Sequence, residues 1–164
     1  HKPRNVMVTK RDPEGRPTIF DYLKDLPPNF NPVGRLDFGS EGLILLTNDG
    51  DLHQRLSHPS FEVSKIYEVK VAPVVPLTLL ARFTEGIELE DGMARADGLK
   101  VIKENPHNLW IEMTLHEGRN RIIRRMCNPL GLKVLRLKRV AIGPYVLGDL
   151  PAGRWRKVPC PKCP

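Results

Sequence analysis

The stretch Lys65-Ile66-Tyr67-Glu68-Val69-Lys70-Val71 alternates between two kinds of side chain at every step. A period of two is that of a β-strand, and it puts Lys65, Tyr67, Val69 and Val71 on one face. Leu109, Ile111, Met113 and Leu115 repeat the pattern and predict a second half-buried strand. Between them, residues Ile87 to Lys100 read as a hairpin around Asp91-Gly92. A further strand is expected over about Leu132 to Ile142, and the apolar run Gly42 to Thr47 suits a buried strand ended by Asn48-Asp49-Gly50.

Helical spacing is rarer. Leu77, Leu80 and Ala81 follow Pro76 and are stopped by Gly86, while Ile122, Ile123, Met126, Cys127 and Leu130 form a set closed by Gly131, with Pro129 disturbing its last turn. Two short helices are expected, around Ile19 to Leu26 and from a cap at Asp49 or Asp51 to about Ser57. Strands outnumber helices and are linked locally. The fold class expected is therefore α+β, a mostly antiparallel sheet with flanking helices.

The chain has 164 residues, 40% apolar and 27% charged, and sixteen scattered prolines without a linker or repeat. One domain over residues 1–158 with a tail at 159–164 is expected, large enough to build a core without disulfides or a structural metal. The longest apolar runs fall far below the ~18 residues of a membrane span, and no leader-like segment is evident. Three cysteines, Cys127, Cys160 and Cys163, are too few and odd for a secreted framework, so a cytoplasmic location without membrane association is expected.

Charge is unevenly distributed. Residues 1–117 hold fourteen basic and eighteen acidic side chains, whereas residues 118–164 hold twelve and one. Such a basic segment suits a polyanion, although a solvated face has the same composition.

Two stretches interrupt otherwise regular patterns. In Gly34-Arg35-Leu36-Asp37-Phe38-Gly39-Ser40-Glu41-Gly42 a carboxylate sits beside an arginine in a glycine-framed turn, a setting for catalysis as well as for an Asx-turn or cap. In Glu117-Gly118-Arg119-Asn120-Arg121-Ile122-Ile123-Arg124-Arg125-Met126 four arginines fall within seven residues. On a helix Arg121 and Arg125 share a face opposite the apolar set. Mutually repelling arginines gain from a phosphate backbone, which their planar forks bind bidentately. His53, His58 and His116 lack metal-ligand spacing, Cys160 and Cys163 make a single CxxC with no second pair, and no glycine-rich nucleotide motif occurs.

Taken in order, Lys2-Pro3-Arg4, VGRLDFGSEGLILLTNDG (33–50), His58-Pro59, KIYEVKV (65–71), EGRNRIIRRM (117–126) and GDLPAGRW (148–155) resemble the bacterial pseudouridine synthases that modify ribosomal RNA, the group of the small-subunit enzyme and its large-subunit relatives. The resemblance implies a mixed, mostly antiparallel sheet with a central RNA-binding cleft. It implies Asp37 as the catalytic residue, Tyr67 as the ring that stacks on the target uracil, Arg119 as the ion-pair partner of Asp37 and Ile123 as the aliphatic wall of the base pocket. It also implies an S4-type RNA-binding domain in many relatives, ending about where this chain begins.

The expected function is isomerisation of a specific uridine in ribosomal RNA, alone or in a pre-ribosomal particle, by a monomer without metal or cofactor. Arg35, beside Asp37, is expected to help displace the base. Lys65 and Asn120 are assigned to substrate binding, and Arg121, Arg124, Arg125, Arg136, Lys138 and Arg139 are expected to form one phosphate-tracking surface. A non-catalytic RNA-binding or ribosome-assembly module using the same basic surface is the alternative.

Overall fold

A computed structural model describes residues 1–160. The elements are β1 (Asn31–Pro32), β2 (Glu41–Gly42), β3 (Leu46–Thr47), α1 (Gly50–Ser57), β4 (Lys65–Ala72), α2 (Leu77–Glu85), β5 (Ile87–Leu89), β6 (Gly92–Ala94), β7 (Gly98–Asn105), β8 (Asn108–Leu115), α3 (Ile122–Cys127), β9 (Lys133–Ile142) and β10 (Tyr145–Val146). A six-stranded sheet runs β10-β9-β4-β8-β7, all antiparallel, with β2 added parallel to β9. The expected α+β class with a mixed, mostly antiparallel sheet is the observed one.

Alternation decides which face is buried. Tyr67, Val69 and Val71 of β4 join Leu109, Ile111, Met113 and Leu115 of β8 in one core with Leu80, Phe83, Ile122, Ile123 and Met126 from α2 and α3. The intervening residues make the opposite face, where Trp110 lies 5.8 Å from both the Lys70 ammonium and the Arg136 guanidinium. A second cluster, with Leu43, Leu45, Leu56, Ile142 and Leu147, packs α1 near β9 and β10.

Local chemistry sets the boundaries. The Asp49 side chain accepts from Asp51 and Leu52 backbone N–H groups and caps α1. Pro129 turns the end of the third helical segment into a tight turn at Asn128–Leu130, closed by Gly131 at φ 68°. Several expectations change in detail. The apolar run Gly42 to Thr47 is split, because β2 pairs with β9 whereas β3 pairs with β1. The helix expected around Ile19 to Leu26 is a single tight turn, Ile19–Tyr22. Leu80 and Phe83 form the buried face of α2, while Leu77 is 72% exposed. The hairpin spans only β5 and β6, and Gly98 to Lys100 belong to β7. Among the described residues, no helix is long and apolar enough to cross a membrane. Cys163 lies outside the described residues, and with it the second half of the CxxC.

Candidate active site

A cleft of about 1500 Å³ opens between the loop 33–40, the start of β4 and the segment 116–123. Its lining includes Arg35, Asp37, Lys65, Tyr67, Arg119, Asn120, Arg121, Ile123 and Arg139. Residues from four separate parts of the sequence therefore converge on one space.

The loop bearing Asp37 is tied down from below. Lys2, only 3% exposed, donates from Nζ to the carbonyl oxygens of Ser40 at 2.7 Å, Pro3 at 2.9 Å and Phe38 at 3.3 Å. Its backbone pairs with Gly42 in both directions, and the Ser40 amide donates to the Asp37 carbonyl at 3.0 Å. Burial pushes the Lys2 ammonium down to about 8, against the pull of Asp37 and Glu41. The Asp37 side chain stays open to the cleft, 28% exposed.

Asp37 has a cationic partner, but it is not Arg119. Arg121 Nη1 stands 3.5 Å from Asp37 Oδ2. Arg124, half-buried, also feels the Asp37 charge, although burial dominates and lowers its proton affinity. Arg119 instead pairs with Glu117 and with Asp91 at 3.0 Å, and donates to the Met93 carbonyl at 2.8 Å and the Gly92 carbonyl at 3.3 Å. The reason is the backbone. Arg121 takes a left-handed conformation at φ 49°, so α3 starts only at Ile122 and Arg119 lies in the preceding turn, against the tip of the β5–β6 hairpin.

Arg125 also goes to Asp91, at 2.9 Å to Oδ2, and together the two arginines hold that carboxyl down to about 2, Arg125 contributing most. From the sequence alone Asp91 sits in a turn with no evident partner. The signal is an acidic hairpin tip in a chain whose downstream run of four arginines has only Glu117 as a local counter-charge. Nothing in the local sequence of Lys2 indicates its burial.

The six-residue phosphate surface expected from helix and strand does not form. Along β9, Leu137 and Arg139 face the cleft side, while Arg136 and Lys138 pair across the opposite face with Lys70 and Glu68. Arg136 is bound to Glu41 at 2.6 Å, Arg124 Nη1 donates to the Val134 carbonyl at 3.3 Å, and Arg139 is only 4% exposed. A two-residue period cannot place Arg136, Lys138 and Arg139 on one surface.

Tyr67 belongs to both the core and the cleft. It is 8% exposed and packs with Val69, yet lines the open space beside Lys65 and Ile123. Lys65 donates to the Val63 carbonyl at 2.8 Å, and burial, helped by Arg139, lowers its proton affinity. The exposed guanidinium groups of Arg35 and Arg121 suit an anionic ligand, and the Tyr67 ring suits a planar one.

Residues 1–129 match the RNA pseudouridylate synthase family, and the chain belongs to it. Over 148 residues it is 45% identical to an uncharacterized RNA pseudouridine synthase of Aquifex aeolicus, covering 90% of this chain and 59% of that protein. It is 42% identical over 142 residues to ribosomal large subunit pseudouridine synthase B of Bacillus subtilis, covering 85% and 58%. The chain thus spans less than two thirds of these relatives. A crystal structure of a pseudouridylate synthase superposes with TM-score 0.82 at 32% identity, covering 96% of this chain and 67% of that one. The archaeal box H/ACA Nop10-Cbf5 complex gives TM-score 0.64 at 14% identity, a likeness of fold.

Proposed function

We propose that this chain converts a uridine of ribosomal RNA to pseudouridine, with Asp37 as the reacting carboxylate. The observation that carries the reading is the convergence of Asp37, Tyr67 and Ile123 in one cleft, with Arg121 at 3.5 Å from Asp37. The large-subunit relatives named above favour large-subunit RNA as the substrate.

The reaction breaks the bond from N1 of uracil to the ribose C1′, turns the uracil and joins its C5 to C1′. The proton on C5 leaves and one is returned to nitrogen, so the product is an isomer of the substrate and no electrons are gained or lost. Asp37 either attacks C1′ or removes a proton from C2′. Both routes use an ionised carboxylate. The base must first leave its stack. Arg35, exposed and lining the cleft, fills the vacated position, Tyr67 offers a ring face to the uracil, and Ile123 supplies the apolar wall. Lys65, Asn120 and Arg121 meet the flanking backbone.

The test is pseudouridine mapping on bacterial ribosomal RNA transcripts incubated with the protein. One new pseudouridine, in large-subunit RNA, is expected. Tight RNA binding with no modified uridine would instead support the binding-module alternative.

A further inference from the structure

Arg139 is a buried cation for which the proposed chemistry has no direct use. It forms no ion pair with a carboxylate among the described residues, and its Nη2 is buried without a hydrogen-bond partner there. Burying a guanidinium this way costs stability that an apolar side chain of similar size would not. Its surroundings show what it holds.

In the β4–β9 ladder Ile66 is opposite Ala141, but Tyr67 is opposite Arg139. Val140 is skipped, a bulge that re-aims the strand at the edge of the cleft. The bulge sets Arg139 directly across the ladder from Tyr67, both lining the cleft, and the phenol works against the burial that lowers the proton affinity of the guanidinium. On its other side Arg139 Nε donates to the Leu43 carbonyl at 2.9 Å, while the Leu43 amide donates to the Arg139 carbonyl at 2.8 Å. Gly42 lies against Arg139 in parallel register, and a Cβ there would overlap the Arg139 backbone. Leu43 continues directly from the loop that carries Asp37. One side chain therefore joins the strand of Tyr67 to the chain leaving Asp37.

We infer that Arg139 is a positioning residue, fixing the Tyr67 hydroxyl relative to the Asp37 loop from beneath the cleft. This rests on the proposed isomerase reading. Arg139 does not touch RNA, so its loss slows the reaction without weakening binding. Its effect passes through the Tyr67 hydroxyl.

The experiment is single-turnover pseudouridine formation at saturating ribosomal RNA, with RNA affinity measured in parallel. The proteins are wild type, Arg139→Lys, Arg139→Met, Tyr67→Phe and the double variant Tyr67→Phe with Arg139→Lys. Rates are normalised to the folded fraction by circular dichroism, and if Arg139→Met fails to fold, the lysine variant carries the test. Arg139→Lys is expected to slow the step about tenfold while affinity stays within about twofold, and the double variant is expected to be no slower than Tyr67→Phe alone. Multiplying losses in the double variant, or a lysine variant as fast as wild type, overturns the inference alone. A wild type that forms no pseudouridine overturns the proposed function and this inference with it.

Discussion

Lys2 Nζ lies 2.7 Å from the carbonyl oxygen of Ser40, buried beneath the loop that presents Asp37 to the cleft. Lysine side chains are ordinarily solvated charges at the surface. Here it fastens the loop, and the charges of Asp37 and Glu41 reach its ammonium.

Lys2 releases its proton at about 8 in the folded protein against 10.5 ordinarily. Between those values the unfolded chain binds more protons, so this residue makes folding more favourable as pH rises. The rate should move the other way, because the cation near Asp37 is lost as pH passes about 8. Lys2→Met is expected to slow turnover about tenfold and to abolish that alkaline decline, since an unmade charged hydrogen bond is worth about 1.5–3 kcal/mol. A decline that persists in the variant assigns it to another group.

Arg119 and Arg121 should separate cleanly. Arg121→Met removes the ion-pair partner of Asp37 from a half-exposed position, so it should lower the rate at saturating RNA and leave the melting temperature nearly unchanged. Arg119→Met frees Glu117, Asp91 and the hairpin carbonyls, so it should lower the melting temperature while leaving the rate near that of wild type. Thermal melts beside single-turnover rates decide it, and the reverse pattern would restore Arg119 as the partner of Asp37.

Asp91 is held down to about 2 by Arg125 and then Arg119. A depressed carboxyl contributes stability that is present above its ordinary 3.8 and lost as pH falls through about 2. Asp91→Asn should therefore flatten the acid limb of the melting temperature in that window. If wild type and variant lose stability in parallel there, the hairpin latch is not what titrates.

The strands were the most legible part of the fold, because a face shared by Tyr67, Val69 and Val71 needs only the period of two. The Gly42 to Thr47 run was not, since its division depends on two distant partners, Arg139 for Gly42 and Asn31 for Thr47. At the site, Asp37, Tyr67 and Ile123 were assigned to the cleft through motif order, and the structure brings them there. The partner of Asp37 was missed because the left-handed turn at Arg121 leaves no trace in a run of similar arginines. Arg139 was placed on the surface by its charge, whereas strand alternation and the bulge at Val140 bury it.

Salt dependence should follow these faces rather than the count of basic residues. Arg136→Ala and Lys138→Ala remove charges from the sheet face turned away from the cleft, and the log–log salt slope of RNA binding should stay as in wild type. Arg35→Ala and Arg121→Ala at the cleft should each shallow it by about 0.7–0.9. Filter-binding isotherms across a salt series measure both. An equal change from the far-face residues would put RNA on the other side of the sheet.

The most direct measurement is pseudouridine mapping on ribosomal RNA treated with wild type and with Asp37→Asn, a change that keeps the side chain's shape and removes its charge. A pseudouridine is expected with the wild type, none with the variant, and equal RNA affinity for both. Turnover by Asp37→Asn at the wild-type rate would contradict it.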